Sequence, residues 1–239
     1  MTDSITDMKT IGLIGGTSWH STIDYYRYIN QMVNDSFGNN TNPPLVMYNL
    51  NQQKVFELQK ANDWDGIAAM LIGATKQLEN AGAESVLFCA NTPHKVYDMV
   101  VKGSNIPIIH IADKTGVAIK QKQLKKVGLI GTKYTMEGDF IKKRIAENYQ
   151  VDVIVPNAAA QSKLHEIIQK ELTVGIFKDS TKQYVLSQIK MLQDQGAEGI
   201  ILGCTEFPLI IKEEDLTIPS FNTTLLHAEA AVDFILSKE

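Results

Sequence analysis

The chain has 239 residues, 44% of them hydrophobic and 21% charged, a globular composition with ample apolar mass for a core. Its 23 basic and 27 acidic residues leave a net charge of −4, and no Lys/Arg run interleaved with aromatics breaks that balance, so nucleic acid is not an expected partner. No apolar stretch approaches the roughly 20 residues of a membrane-spanning helix, and the polar start MTDSITDMK has no targeting pattern, so the expectation is a cytoplasmic protein without membrane contact.

The first predicted element is the apolar run IGLIGGT (11–17), a buried parallel strand entering a turn and a helix. The Asn/Pro-rich segment SFGNNTNPP (36–44) is a long connection before the strand LVMYNL. A helical pattern, IAAMLIGATKQLEN, then leads through a glycine suited to a helix C-terminus into AGAESVLFCA (81–90), and IPIIHIAD follows from Ile106. The same series returns further on: VGLIGT (127–132), the helical YVLSQIKMLQDQ leading into QGAEGIILGC (195–204), and IPSFNTT from Ile218. The displacements between these echoes are 116, 114 and 112 positions, the signature of an internal duplication.

Strands alternating with helices predict βαβ units, a mostly parallel sheet and right-handed crossovers. The fold class is therefore α/β, with two pseudosymmetric lobes, each a parallel sheet flanked by helices. The third echo marks where the chain would pass between lobes. That puts the first lobe at 1–110 plus a returning tail 219–239, and the second at 111–218. Ligands of open α/β sheets bind beyond the C-terminal strand ends, which for a duplicated pair points to a cleft between lobes.

The segments at those ends (GGTSWHST, YNLNQQK, FCANTPHK, GTKYTME, LGCTEF and FNTT) are rich in small hydroxyl and amide residues, which together with free helix-terminal N–H groups receive carboxylates well. The same residues serve most often as ordinary helix caps. The glycines of 12–16 match neither a dinucleotide fingerprint nor a phosphate loop. No GxSxG elbow is present, and the five histidines, at 20, 94, 110, 165 and 227, have no metal-ligand spacing. His94 and His110 fall near strand ends, where structural hydrogen bonding competes with function. The two cysteines, Cys89 and Cys204, match no disulfide framework or zinc pattern; no metal is expected. Cys204 stands between an apolar strand and a helix start, where N–H groups would hold a thiolate below the usual value of about 8.5. A buried cysteine is equally a common core residue.

These motifs, in the order KTIGLIGGTSWHSTIDYYRYIN, ANTPHKV, IPIIHIAD, GLIGTKYTMEGDF, AEGIILGCTE and FNTTLLHAEAAVDF, resemble the aspartate/glutamate racemase superfamily, most closely its broad-specificity amino-acid racemase branch, from end to end. The resemblance implies a cofactor-independent isomerase that needs no pyridoxal phosphate, forms a homodimer and acts on a small amino-acid or carboxylate substrate. It further implies that thiols from the two lobes remove and return the α-proton on opposite faces, with Cys204 and Cys89 as the catalytic candidates. Thr17, Asn91, Thr92, Thr132 and Thr205 are the substrate-binding candidates.

One departure matters. The family's first-lobe motif is Cys-Asn-Thr, whereas this chain reads Cys89-Ala90-Asn91-Thr92, and the repeat maps Ala90, not Cys89, onto Cys204. A one-residue step along a strand turns the side chain to the other face. The resemblance also implies a distal-carboxylate grip by an arginine after the second strand and a lysine on a mid-domain helix. Here the first stretch, YNLNQQKV, has no arginine; Lys54 and Lys170 are nearby charges and Asn51 and Gln52 are neutral. Three readings stay open: a two-thiol racemase, a single-cysteine lyase or isomerase, and a carboxylate-binding homologue without turnover.

Overall fold

In chain order the elements are β1 (Ile11–Gly15), α1 (Trp19–Phe37), β2 (Leu45–Asn49), α2 (Gln52–Lys60), α3 (Trp64–Asn80), β3 (Ser85–Phe88), α4 (Tyr97–Lys102), β4 (Ile108–Ile109), α5 (Ile111–Gln121), β5 (Lys126–Gly131), α6 (Lys133–Glu137), α7 (Asp139–Tyr149), β6 (Asp152–Ile154), α8 (Ala158–Lys170), α9 (Asp179–Asp194), β7 (Ile200–Gly203), α10 (Phe207–Ile210), β8 (Ser220–Asn222) and α11 (Thr223–Ile235). They come from a computed structural model that describes residues 8–237. The strands form two all-parallel sheets, ordered β2-β1-β3-β4 and β6-β5-β7-β8. An α/β fold of two helix-flanked parallel sheets is thus the architecture that the alternating sequence pattern predicts.

The duplication extends to register. Gly12 pairs with Val86 in the first sheet and Gly128 with Ile200 in the second, while Val86 pairs with Ile108 and Ile200 with Ser220. These pairs carry the same three displacements as the sequence echoes. Position 89 is therefore equivalent to Gly203, and position 90 to Cys204.

The inner strands β1, β3, β5 and β7 are covered on both faces, which is why they read as continuous apolar runs rather than alternating ones. In the first sheet Ile11, Leu13 and Leu87 pack with Tyr25, Ile29 and Val33 of α1 and with Ala228, Ala231 and Ile235 of α11. On the other face Ile14, Val86 and Phe88 meet Ile67, Leu71 and Leu78 of α3. In the second sheet Val127, Leu129 and Ile201 pack with α5 and α7 through Ile119, Ile141 and Ile145. Its other face sets Ile130, Ile200 and Leu202 against Leu164 and Ile168 of α8 and Val185, Ile189 and Leu192 of α9. Each such Val, Leu, Ile or Phe side chain, once buried, contributes about 1.5–3 kcal/mol.

α3 and α9 lead into the third strands by the same device. Gly82 (φ 92°) and Gly196 (φ 93°) take the left-handed conformation. The next N–H closes back on the helix, Ala83 to the Leu78 carbonyl and Ala197 to the Leu192 carbonyl, both at 3.0 Å. This is a Schellman termination, and a side chain with a Cβ would be strained at either glycine.

The chain divides into two units: residues up to His110 with those from His227 onward, and Ile111–Leu226. The returning tail therefore begins at His227, not at 219 as the sequence suggests. The reason is hydrogen bonding: Ser220–Asn222 is β8, paired to β7, so these residues belong to the second sheet. Among the described residues no helix is long and apolar enough to cross a membrane.

Candidate active site

Cys204 is the first residue beyond β7, 7% exposed, and packs with Ile200 and Leu202 on the face covered by α8 and α9. Its Sγ–H donates to Oε2 of Glu206 at 2.9 Å, and the Thr205 hydroxyl donates to the same oxygen at 2.8 Å. Glu206 is only 3% exposed, so its oxygen relies on these hydrogen bonds rather than on water. The thiolate expected from the strand-to-helix position is not the form this setting favours. Burial and the adjacent Glu206 carboxylate push the Cys204 thiol well above its ordinary value, and the backbone N–H groups of Glu206 and Thr205 oppose that only in part. The helix that follows, Phe207–Ile210, has four residues, too few to assemble a strong dipole. A loaded thiol leaning on a carboxylate is the result: a proton donor with a built-in acceptor for its own proton.

Glu206 is the residue that sequence reasoning missed. Its signal was present in GCTEF, where an acid two residues after a cysteine sits at a predicted helix start that ordinarily attracts capping acids. Nothing in the pattern shows that this one is buried.

Cys89 lies elsewhere. It is 0% exposed and packs with Ile11, Leu13, Tyr25, Leu87 and Ala228 on the face covered by α1 and α11. Burial alone pushes its thiol far up, and its carbonyl, not its sulfur, meets a polar group, the Ser21 hydroxyl at 2.8 Å. The surroundings of Cys89 are thus an apolar core. The one-residue offset is the cause, because strand alternation sends 87 and 89 to one face and 88 to the other.

The first-sheet equivalents of Cys204, Thr205 and Glu206 are Ala90, Asn91 and Thr92. Asn91 and Thr92 are buried, and a 3₁₀ turn runs from Thr92 to Val96. His94 Nδ1 lies 3.1 Å from the Ala90 carbonyl and 3.2 Å from that of Asn91; two acceptors require Nδ1 to carry the proton. Its ring lies against those of His110 (4.7 Å between centroids) and His227 (5.4 Å). His227 Nε2 donates to the Ile109 carbonyl at 3.0 Å, which leaves Nδ1 to accept from Tyr25 at 2.8 Å. Burial and His227 lower the His94 pKa well below 6.5. His94 and His110 thus hold a strand end together from within.

Among the other candidates, Thr17 follows β1, and its buried hydroxyl has no hydrogen-bond partner among the described residues. Gly16 just before it has φ 82°, and a Cβ there would overlap the Leu50 backbone. Thr132 follows β5 as the N-cap of α6, accepting from Thr135 N–H at 3.2 Å. Thr205 is bound to Glu206 as described. Asn51 caps α2 through Gln53 and Lys54 N–H, and Lys170 pairs with Glu166 at 3.0 Å on the surface. Among the described residues no group of three or more His, Cys, Asp or Glu side chains has a metal-binding arrangement.

Residues 14–231 match the Asp/Glu/Hydantoin racemase family. A crystal structure from Yersinia pestis, described as that of an Asp/Glu racemase, superimposes with a TM-score of 0.90 at 41% identity, covering 96% of this chain and 100% of that one. The broad specificity amino-acid racemase RacX of Bacillus subtilis is 22% identical over 233 residues, 95% of this chain and 98% of RacX. The glutamate racemase of Histophilus somni is 28% identical over 134 residues, 56% of this chain. In that match the chain spans about half the relative's length, 49%.

Proposed function

The chain belongs to the Asp/Glu/Hydantoin racemase family, and from that premise we propose that it is an amino-acid racemase that moves the α-proton without pyridoxal phosphate, using Cys204 and Glu206 as a coupled acid and base. The observation that carries this reading is the buried thiol donating to a buried carboxylate at 2.9 Å, one residue beyond a parallel strand. Glu206 accepts the thiol proton, the thiolate takes the α-proton, and the electron pair left on Cα spreads into the substrate carboxylate. Hydroxyl and N–H donors such as Thr132 stabilise that charge. Return of a proton from the Cys204 thiol to the same face regenerates the starting enantiomer; delivery of a proton from water to the opposite face inverts it, and the proton taken by Cys204 then returns to solvent.

A second reading is favoured by one feature, the pair Ala90 and Thr92 standing where the second sheet has Cys204 and Glu206. Alanine carries no proton, so exchange at one face outpaces inversion, the behaviour of a one-thiol isomerase or lyase. The family resemblance supports a homodimer. Trp19, Ile23 and Tyr26, spaced along one side of α1 and each about half exposed, offer an apolar surface for it.

The test follows proton exchange and optical purity together. Wild-type protein in heavy water, given L- and D-amino acids, replaces the α-proton with deuterium for at least one of them by NMR, and chiral chromatography shows inversion lagging behind exchange. Ligand stabilisation without any exchange contradicts the proposal and leaves a binding protein.

A further inference from the structure

Two polar atoms at the start of α8 stand apart from every hydrogen bond described so far. Gln161 is 8% exposed and its Nε2 donates to the Pro156 carbonyl at 2.7 Å, which fixes the amide so that Oε1 points the other way. Among the described residues that Oε1 is buried with no partner, and so is Nδ1 of His165, one helical turn on. Side chains four apart stand one above the other on a helix, about 5–6 Å between Cβ atoms. A buried acceptor left unsatisfied costs about 1–3 kcal/mol, so two on one face call for an explanation. The His165 ring also meets the Tyr134 ring edge-on at 5.4 Å, and Tyr134 belongs to α6, directly beyond β5.

Gln161 and His165 flank Leu164, which packs in the same cluster as Cys204. α8 starts beyond β6 and Cys204 lies beyond β7, with β5 between those strands. Two strand spacings amount to about 10 Å, a span matched by a five-carbon amino acid once the contact of its Cα with the thiol and a hydrogen bond from its distal group to α8 are included.

We propose that Gln161 and His165 form the side-chain subsite of the substrate and select an uncharged carboxamide over a carboxylate. This rests on the proton-transfer reading of Cys204. A carboxamide N–H donates to Gln161 Oε1, and His165 Nδ1 is met in either tautomer, by the amide carbonyl when Nδ1 carries the proton and by the second amide N–H when it does not. A carboxylate offers Oε1 only lone pairs. Burial, and then Lys133, lower the His165 pKa, which keeps the ring neutral and weakens it as a partner for an anion.

The test compares glutamine with glutamate. In the heavy-water assay the wild type exchanges glutamine at least tenfold faster than glutamate in kcat/KM. In Gln161→Met and in His165→Phe that ratio falls to near one, mainly through the KM for glutamine, with each variant's melting curve checked for folding. Equal rates for the two substrates in the wild type, or a ratio unchanged in both variants, overturn the subsite and leave a bridging water only. Binding of glutamine to Cys204→Ala, measured by calorimetry, separates the two ideas. Affinity lost on adding Gln161→Met supports the subsite even where proton transfer at Cys204 fails, and affinity unaffected by it overturns the subsite even where proton transfer stands.

Discussion

The two sheets share strand order and register, yet their third strands end in different chemistry. Beyond β7 stand Cys204, Thr205 and Glu206, tied by two hydrogen bonds into one carboxylate oxygen. Beyond β3 stand Ala90, Asn91 and Thr92, backed by His94 through the Ala90 and Asn91 carbonyls. One end stores a proton; the other holds a backbone shape. The difference teaches that duplication conserves geometry while chemistry at equivalent positions diverges, and that Cys89, one step off the equivalent position, packs in the apolar core.

The largest effect expected from breaking this contrast is at Cys204. Cys204→Ala removes the proton carrier, and α-proton exchange in heavy water falls by about 10²–10⁴-fold, the usual worth of an acid/base group. Glu206→Gln keeps the shape but removes the acceptor. Exchange drops by roughly 10–100-fold, and the pH profile of Cys204 alkylation moves to lower pH because the carboxylate that raised the thiol is gone. Ala90→Cys gives the first sheet a thiol at the equivalent position, and the ratio of inversion to exchange rises by about tenfold, read by chiral chromatography beside NMR.

A smaller effect concerns stability. The His94 pKa is depressed below 6.5 by burial and then by His227. The unfolded chain therefore takes up a proton first: the contribution is complete above about pH 6.5 and is lost as pH falls toward the folded value, by up to about 1.4 kcal/mol per pH unit for one proton. The groups facing His94 are His110 and His227, with Tyr97 stacked at 6.2 Å. Denaturant midpoints of His94→Asn measured from pH 7.5 to 5 show a shallower acid limb than those of the wild type. The smallest effect is Cys89→Ala, a cost of about 1–2 kcal/mol for a small core void, with exchange kept within twofold of wild type.

Much of the fold was legible because burial on both faces leaves parallel strands as plain apolar runs. The spacing of Gly12 and Gly128 and of Gly82 and Gly196 carried register and helix ends into the sequence itself. The return point was misplaced because IPSFNTT echoes IPIIHIAD, and an echo reveals a strand without showing that the chain stays with its sheet for several residues more. In the site, the offset of Cys89 could be read from the repeat. The state of Cys204 could not. Its protonation follows from the burial of Glu206, a tertiary fact that a cysteine at a strand end does not disclose, and the neighbouring N–H groups that suggested a thiolate are outweighed by one carboxylate. The orphaned atoms of Gln161 and His165 were hidden for the same reason, since only packing decides which polar atoms lose water.

The central claim is that one cysteine works and the other packs. The direct measurement is α-proton exchange in heavy water for Cys204→Ala and Cys89→Ala side by side, on the wild type's fastest amino acid. Loss of exchange by at least a hundredfold in Cys204→Ala, with Cys89→Ala within twofold of wild type, is the predicted result. Exchange that survives in Cys204→Ala, or that disappears in a folded Cys89→Ala, would contradict the account.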